Sequence, residues 1–291
     1  MNTTHTLTMQ DGAALATQDH SHVNGPTLRG QIVLVHGLGE HMGRYQHVIQ
    51  HLNDWGFAVR TYDQYGHGKS SGKRGCLPSP NRLLDDLAMV IDDTRKHMLA
   101  GTPLILLGHS MGGLVAARFV STNIRPVDAL VLSSPALGAK LKGIDKLLLA
   151  VLPKIVPNLA IANGLNANKI SHDPEVVKAY LADPLVHNRI SPRLGKWIVD
   201  SGAVTLQLAG TWHVPTLLMY AGQDKLVDPA ASRMFTDLAP KSLLQSTCYK
   251  ELYHEIFNEV DSSPVFGELK AWLEAGFKPQ LKQRAAPQSS P

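Results

Sequence analysis

Short apolar runs that stop at glycine or proline punctuate this chain. They are "QIVLVHG" (31–37), "FAVRTYDQYG" (57–66), "PLILLGHS" (103–110), "ALVLSSP" (129–135) and "PTLLMYAGQD" (215–224). Runs that are apolar on both sides belong to strands of a parallel sheet covered by helices. Between them, apolar positions recur at helical spacing. Residues 45–55 form one such stretch. A second follows Ser79-Pro80, a capping and first-turn pair, and sets Leu83, Leu87, Val90, Ile91, Thr94 and Met98 on one face. Residues 111–121 are a third. Asp228-Pro229 opens a fourth, with Met234, Phe235 and Leu238 expected inside. Strands alternating with helices predict an α/β domain of βαβ units with right-handed crossovers.

Residues 6–17 read as a weak hairpin turned at Asp11-Gly12, followed by a polar loop with Gly25-Pro26. "LLQSTCYKE" (243–251) reads as the last strand. The alternation breaks between about 138 and 212, a helix-rich stretch with prolines at 153, 157, 174, 184 and 192. It is expected to be an insertion over the carboxyl ends of the strands, where open α/β sheets bind ligands. The core then comprises about 6–137 and 213–278. The polar tail from Pro279 is expected to be disordered. A length of 291 residues suits one domain carrying such an insertion.

Composition narrows the function. An apolar fraction of 44% against 18% charged residues supplies a large core and excludes global disorder. The net charge of +4 comes from scattered lysines and arginines, so no nucleic-acid partner is expected. Cys76 and Cys248 have no metal-ligand spacing, and neither a metal nor a cofactor is implied. The start "MNTTHTLTMQDG" lacks the basic and apolar regions of a secretory leader, and free thiols fit a cytoplasmic protein. The longest greasy stretch, "KLLLAVLPKIVPNLAIA" (146–162), is too short to span a bilayer and is broken by two prolines and a lysine.

Candidate chemistry centres on "GHSMG" (108–112), a G-x-S-x-G sequence with an apolar strand before it and a small-residue helix after it. A sharp strand-to-helix turn would lift the Ser110 hydroxyl clear of the sheet, at a helix amino terminus that favours negative charge. A serine needs a base, and in this arrangement the chain order is serine, acid, histidine. The downstream candidates are His172, His187, His213 and His254. His254 is preferred because "ELYHEIFNE" follows the last strand. Asp224 stands directly after a strand and is preferred as the acid over Asp228, which resembles a helix cap before Pro229. Acyl transfer also needs oxyanion donors. The N–H of Met111 follows the nucleophile, and "HGLGEHMGRY" (36–45) offers the N–H of Leu38. Glu40, His41 and Arg44 are expected to brace that loop. "YDQYGHGKSSG" (62–72) lacks phosphate-loop spacing and reads as a structural turn.

Together "HGLGEH", "YDQYGHGKSSG", "GHSMGG", "GQDKLVDP" and "YHEIFNE" resemble the monoacylglycerol lipases of the α/β-hydrolase fold. The wider group includes lysophospholipases and serine-aminopeptidase-like hydrolases. The likeness runs from about residue 6 to 277, and "LPKIVPNLAIANGL" and "DPLV" resemble parts of that family's cap. The resemblance implies a mostly parallel central sheet flanked by helices, a helical cap or lid over about 138–212, and a triad of Ser110, Asp224 and His254. It places Leu38 and Met111 at the oxyanion hole.

The implied activity is serine-dependent hydrolysis of esters carrying one acyl chain, monoacylglycerol first, through an acyl-enzyme and without a cofactor. A lysophospholipase or a short- to medium-chain esterase is the alternative within the class. A non-catalytic binder on a hydrolase scaffold, or an amidase with an acidic subsite drawn from Asp173, Glu175 or Asp183, lies outside it. The first loop lacks the H-G-G-P-G of prolyl aminopeptidases, and Ser110 stands where dehalogenase relatives carry aspartate. The apolar cap stretch further implies transient contact with a membrane surface.

Overall fold

The computed structural model describes residues 2–20, 28–138 and 143–278. The loop at Gly25-Pro26 and the tail from Pro279 lie outside the described residues. Among the described residues there are ten strands. They are β1 (Asn2–Thr8), β2 (Ala14–His20), β3 (Gly30–Val35), β4 (Phe57–Tyr62), β5 (Leu104–His109), β6 (Ala129–Ser133), β7 (Ile161–Ala162), β8 (Arg189–Ile190), β9 (Thr216–Ala221) and β10 (Leu244–Tyr249). The helices are α1 (Gln46–Asp54), α2 (Arg82–His97), α3 (Met111–Ser121), α4 (Gly143–Ile155), α5 (Pro174–Ala182), α6 (Pro192–Gln207), α7 (Pro229–Leu238) and α8 (Ser263–Glu274).

Eight strands form one sheet in the order β1-β2-β4-β3-β5-β6-β9-β10. From β4 to β10 every pairing is parallel, and the β1–β2 hairpin joins antiparallel at the β4 edge. This is the mostly parallel sheet that the alternation predicts. Because strand side chains alternate, each central strand feeds two cores. Val33, Val35, Leu104, Leu106, Leu130 and Leu132 pack on one face with the buried sides of α2 and α3. Ile32, Leu34, Ile105, Leu107, Val131 and Leu217 pack on the other with Val48 and Leu52 of α1 and Leu269 and Trp272 of α8.

The apolar runs overshoot their strands by one to four residues at the carboxyl end. There the chain leaves the ladder to form the loops carrying His36, Asp63, Ser110, Ser134 and Asp224. In α2 the predicted face is buried from Leu83 to Thr94, with Met98 packed at its end. In α7 the expectation fails for two residues: Met234 and Leu238 are 52% and 50% exposed. That helix instead buries Ala231, Ser232 and Phe235, so its inward stripe lies on another face.

Between β6 and β9 the chain places α4, α5 and α6 together with β7 and β8. The two short strands pair antiparallel as a ribbon of their own, which a reading of helical period does not foresee. α6 packs against α3 and α4, which anchors this segment on the sheet's helical layer.

Candidate active site

Ser110 sits between β5 and α3 with φ 54° and ψ −120°, a conformation disfavoured for a residue with a side chain. Its neighbours hold it there. The Ser110 N–H donates to the Ser133 carbonyl at 2.9 Å, and its own carbonyl accepts from the N–H groups of Leu114 and Ala136. The flanking glycines are required by backbone contact. A Cβ on Gly112 would lie 2.1 Å from the Val35 carbonyl oxygen, and one on Gly108 would lie 2.4 Å from that of Gly112. The turn can therefore close on the end of β3 only without side chains at these positions.

The loops after β9 and β10 bring two more side chains to this serine. His254 Nε2 lies 2.8 Å from Ser110 Oγ, and His254 Nδ1 lies 2.6 Å from Asp224 Oδ2. The other oxygen of Asp224 accepts from the N–H groups of Leu226 and Val227. All three residues are buried. Burial opposes a charged imidazole at His254, but the Asp224 carboxylate and its hydrogen bond outweigh burial, so the pKa is raised above the ordinary histidine value. Burial also works against the Asp224 charge, and there His254 and the two backbone donors win, holding its pKa low.

The competing candidates are engaged elsewhere. Asp228 caps α7 by accepting from the Ala230 N–H. His172 pairs with Glu259 at 2.9 Å and stacks on Tyr253. His187 packs against His67, with ring centroids 4.8 Å apart, and His213 is exposed.

The loop after β3 abuts the serine: a Cβ on Gly37 would lie 3.2 Å from that of Ser110. Glu40 organises this loop. Its Oε1 accepts from the Gly37 N–H and from the Tyr45 hydroxyl, both at 2.6 Å, and its Oε2 from Arg44 at 2.7 Å. Arg44 reaches on to both oxygens of Glu255, the residue after His254. Burial alone would raise the Glu40 pKa, yet Arg44 and nearby histidines bring it down to about 2. Of the three residues expected to brace the loop, Glu40 and Arg44 share one network, whereas His41 pairs with Asp183 at 2.8 Å. Leu38 and Met111 line the same cavity as Ser110. Among the described residues their N–H groups donate to no protein acceptor.

The "YDQYGHGKSSG" stretch is a tight turn tied to this loop. The Gln64 N–H donates to His36 Nε2 at 2.9 Å, and Gln64 Nε2 donates to the His36 carbonyl.

Sequence reasoning left two site residues unassigned. His109 is buried beside His254, ring centroids 4.8 Å apart, with Nδ1 3.0 Å from Ser133 Oγ. Burial, then the adjacent imidazole, lower its pKa to about 4, so it is neutral near pH 7. Glu255 closes the Arg44 bridge. Both stand next to assigned residues in sequence, which is the only local signal they give.

Two cavities meet at Ser110 and His254. One, of about 620 Å³, is largely apolar and is walled by Leu149, Leu152 and Ile198 from the segment between β6 and β9, with Leu38 and Met111 beneath. The other, of about 670 Å³, is mixed in character: Glu40, Arg74, His109 and Glu255 line it together with Leu165, Leu181 and Leu226. A hydroxyl hydrogen-bonded to an imidazole that a buried carboxylate orients can attack an acyl carbon and pass its proton on.

Solved structures share this fold and arrangement of elements. A monoacylglycerol lipase from Paleococcus ferrophilus superposes with a TM-score of 0.80 and 34% identity, over 90% of this chain and 98% of that one. A soluble variant of the Saccharomyces cerevisiae monoglyceride lipase, solved with a substrate analog, gives 0.85 at 23% identity over 95% and 96%. The molecule is thus an α/β hydrolase, and more narrowly a serine hydrolase. Residues 26–261 match the family described as serine aminopeptidase, S33 (Hydrolase_4), and the chain belongs to that family. In sequence it is 34% identical over 249 residues to a monoacylglycerol lipase of Mycolicibacterium smegmatis, covering 84% of this chain and 88% of that one. It is equally 34% identical over 253 residues to phospholipase YtpA of Bacillus subtilis, covering 84% and 94%.

Proposed function

We propose that this chain hydrolyses carboxylic esters of single-chain lipids, with monoacylglycerol as its first substrate class. Ser110 Oγ attacks the ester carbonyl while His254 takes its proton and Asp224 stabilises the resulting imidazolium. The N–H groups of Leu38 and Met111 receive the oxyanion. The alcohol leaves with the proton from His254, and water then releases the fatty acid from Ser110 by the same route.

The observation that carries this reading is the Ser110–His254–Asp224 series opening directly onto the apolar cavity. That cavity suits an acyl chain, and the second cavity at Ser110, which carries charged and hydrogen-bonding side chains among its apolar ones, suits the leaving alcohol. The relatives named as monoacylglycerol lipases support the substrate class. The segment between β6 and β9 acts as the cap, since Leu152 and Ile198 wall one cavity and Tyr180 and His187 the other. Among the described residues no helix is long and apolar enough to cross a membrane. Lipid reaches the site by surface contact through the cap, a reading supported by Leu148, Val151 and Ile155, which α4 leaves exposed.

The deciding experiment is a panel of monoacylglycerols, triacylglycerols, nitrophenyl esters of graded chain length and aminoacyl amides, run against the wild type and Ser110→Ala. Single-chain esters are the expected best substrates, and the variant should lose about 10⁴- to 10⁶-fold in kcat. Preference for the amides, or an active Ser110→Ala, would overturn the assignment.

A further inference from the structure

α6 carries two glycines that differ in what they face. Gly202 is fixed by contact: a Cβ there would lie 2.4 Å from the Leu137 carbonyl oxygen, so no side chain fits. Gly195 has no such constraint. Its backbone is helical and outside the left-handed region, and its N–H donates to the Ser191 carbonyl at 2.9 Å as any helical residue would. The atoms nearest to a Cβ at 195 are the ends of side chains, Leu149 Cδ2 at 3.2 Å and Ile190 Cδ1 at 3.7 Å. Glycine destabilises a helix relative to alanine. At Gly195 neither the backbone conformation nor a backbone neighbour calls for it.

What the missing side chain leaves open is the apolar cavity. Gly195 lines it, as do Ile198 and Val199, three and four residues further on and therefore on the same face of α6. Leu149 of α4 and Ile190 of the β7–β8 ribbon line it too. At Gly195, then, three parts of the segment between β6 and β9 converge on the cavity that opens at Ser110 and His254. A side chain there would enter the gap between α4 and the ribbon and take room from whatever fills it. A methyl group needs only a small shift of the Leu149 terminal methyl. An isobutyl group extends further, into space that the cavity now provides.

We propose that Gly195 is a specificity-determining residue: its missing side chain sets the length of acyl chain that the cavity accepts. This rests on the ester-hydrolase reading of Ser110 given above. An acyl chain gains free energy for each methylene it buries, and a wall moved inward removes that gain only for chains long enough to reach it. Methylene-scale changes in an apolar pocket alter kcat/KM by about 10- to 200-fold, whereas a chain that stops short of the obstruction reacts as before. The chemistry itself is untouched, because α6 supplies none of Ser110, Asp224, His254, Leu38 or Met111.

The test measures kcat/KM for nitrophenyl butyrate and nitrophenyl laurate, together with Tm, in the wild type, Gly195→Ala and Gly195→Leu. The laurate-to-butyrate ratio should fall by about tenfold or more in Gly195→Leu, with the butyrate value held within about threefold. Gly195→Ala should show a smaller fall in the ratio while its Tm rises by about 1 to 3 °C, since the helix gains a better former. A rising Tm beside a falling long-chain activity is a signature that a packing role would not give. Equal losses on both esters with a lower Tm in Gly195→Ala would overturn the proposal and assign the glycine to the packing of α4 on α6. An unchanged ratio in both variants would also overturn it, as would a wild type that cleaves the butyrate but not the laurate. If Gly195→Leu does not fold, the ratio in Gly195→Ala decides alone. A wild type inactive on every ester would instead overturn the function proposed for Ser110, and this role of Gly195 with it.

Discussion

Asp224 divides its two oxygens: Oδ2 receives His254 Nδ1 at 2.6 Å, and Oδ1 receives the N–H groups of Leu226 and Val227. Two backbone donors hold the carboxylate independently of the imidazole, so it can fix the ring's tautomer without moving. Asp224→Asn keeps the shape and places an amide where only an acceptor fits. The expected result is a loss on the order of 10⁴ in kcat with little change in Tm. Asp228→Asn should leave kcat within about twofold, because asparagine caps a helix as well as aspartate. The reverse pattern in steady-state kinetics would mean that Asp228 is the acid.

The charge on Asp224 also fixes the pH dependence. His254 must be neutral to accept a proton, and its pKa is raised above the ordinary value near 6.5 by that carboxylate. Activity should therefore rise with pH, with an inflection in kcat/KM above about 6.5. In Asp224→Asn the inflection should move to lower pH, since the imidazolium loses its counter-charge. For stability the sign is opposite. A raised histidine pKa stabilises the fold at low pH, and that contribution fades as pH rises through the folded value. His109, neutral above about pH 4, adds no second limb near neutrality. A profile flat from about pH 5 to about pH 9 would contradict the assignment of His254.

Most of this architecture is legible in the sequence because parallel strands are apolar throughout and end abruptly at the loops that carry chemistry. Ser110 announces itself through glycines whose absent side chains are needed for contact with Val35. Asp224 and His254 are legible from their place after the last two strands. What the sequence conceals is what depends on contacts between distant segments. Glu255 has no meaning until Arg44 reaches it, and His41 looks like a partner of Glu40 until Asp183 arrives from the segment between β6 and β9. On α7 Phe235 is buried as its pattern predicts, but Met234 and Leu238, though apolar, stay exposed, because tertiary packing selects the stripe through Ala231 and Phe235.

A buried carboxylate on α2 supplies a separate test of stability. Asp86 on α2 is fully buried and touches Arg82 at 2.7 Å, though neither Asp86 oxygen has an aligned hydrogen bond. Burial outweighs the attraction of Arg82 and raises the Asp86 pKa to about 7. Between the unfolded value near 4 and about 7 the folded chain holds a proton that the unfolded chain releases, so this group's contribution to stability falls as pH rises through that window. Asp86→Asn removes the charge and should flatten the dependence, narrowing the gap in Tm between pH 5 and pH 8. Thermal melts across that range check it, and an unaltered slope would show that Asp86 stays ionised throughout.

On α4, Leu149 and Leu152 wall the apolar cavity, while Val151 and Ile155 lie 42% and 69% exposed, four residues apart on one face. Leu159 and Ile161 continue this exposed apolar surface at 53% and 46%. Leaving such side chains in water is unfavourable, and a lipid surface relieves that cost over the very helix that walls the acyl cavity. The double variant Val151→Glu with Ile155→Glu should therefore cut kcat/KM on vesicle-borne monoacylglycerol by about tenfold or more. On a water-soluble short-chain nitrophenyl ester, which needs no surface, the same variant should change by less than about threefold. Vesicle co-sedimentation should weaken in parallel. Equal losses on both substrates would assign these residues to packing of the segment, and no loss on vesicles would mean that the lipid enters by another face.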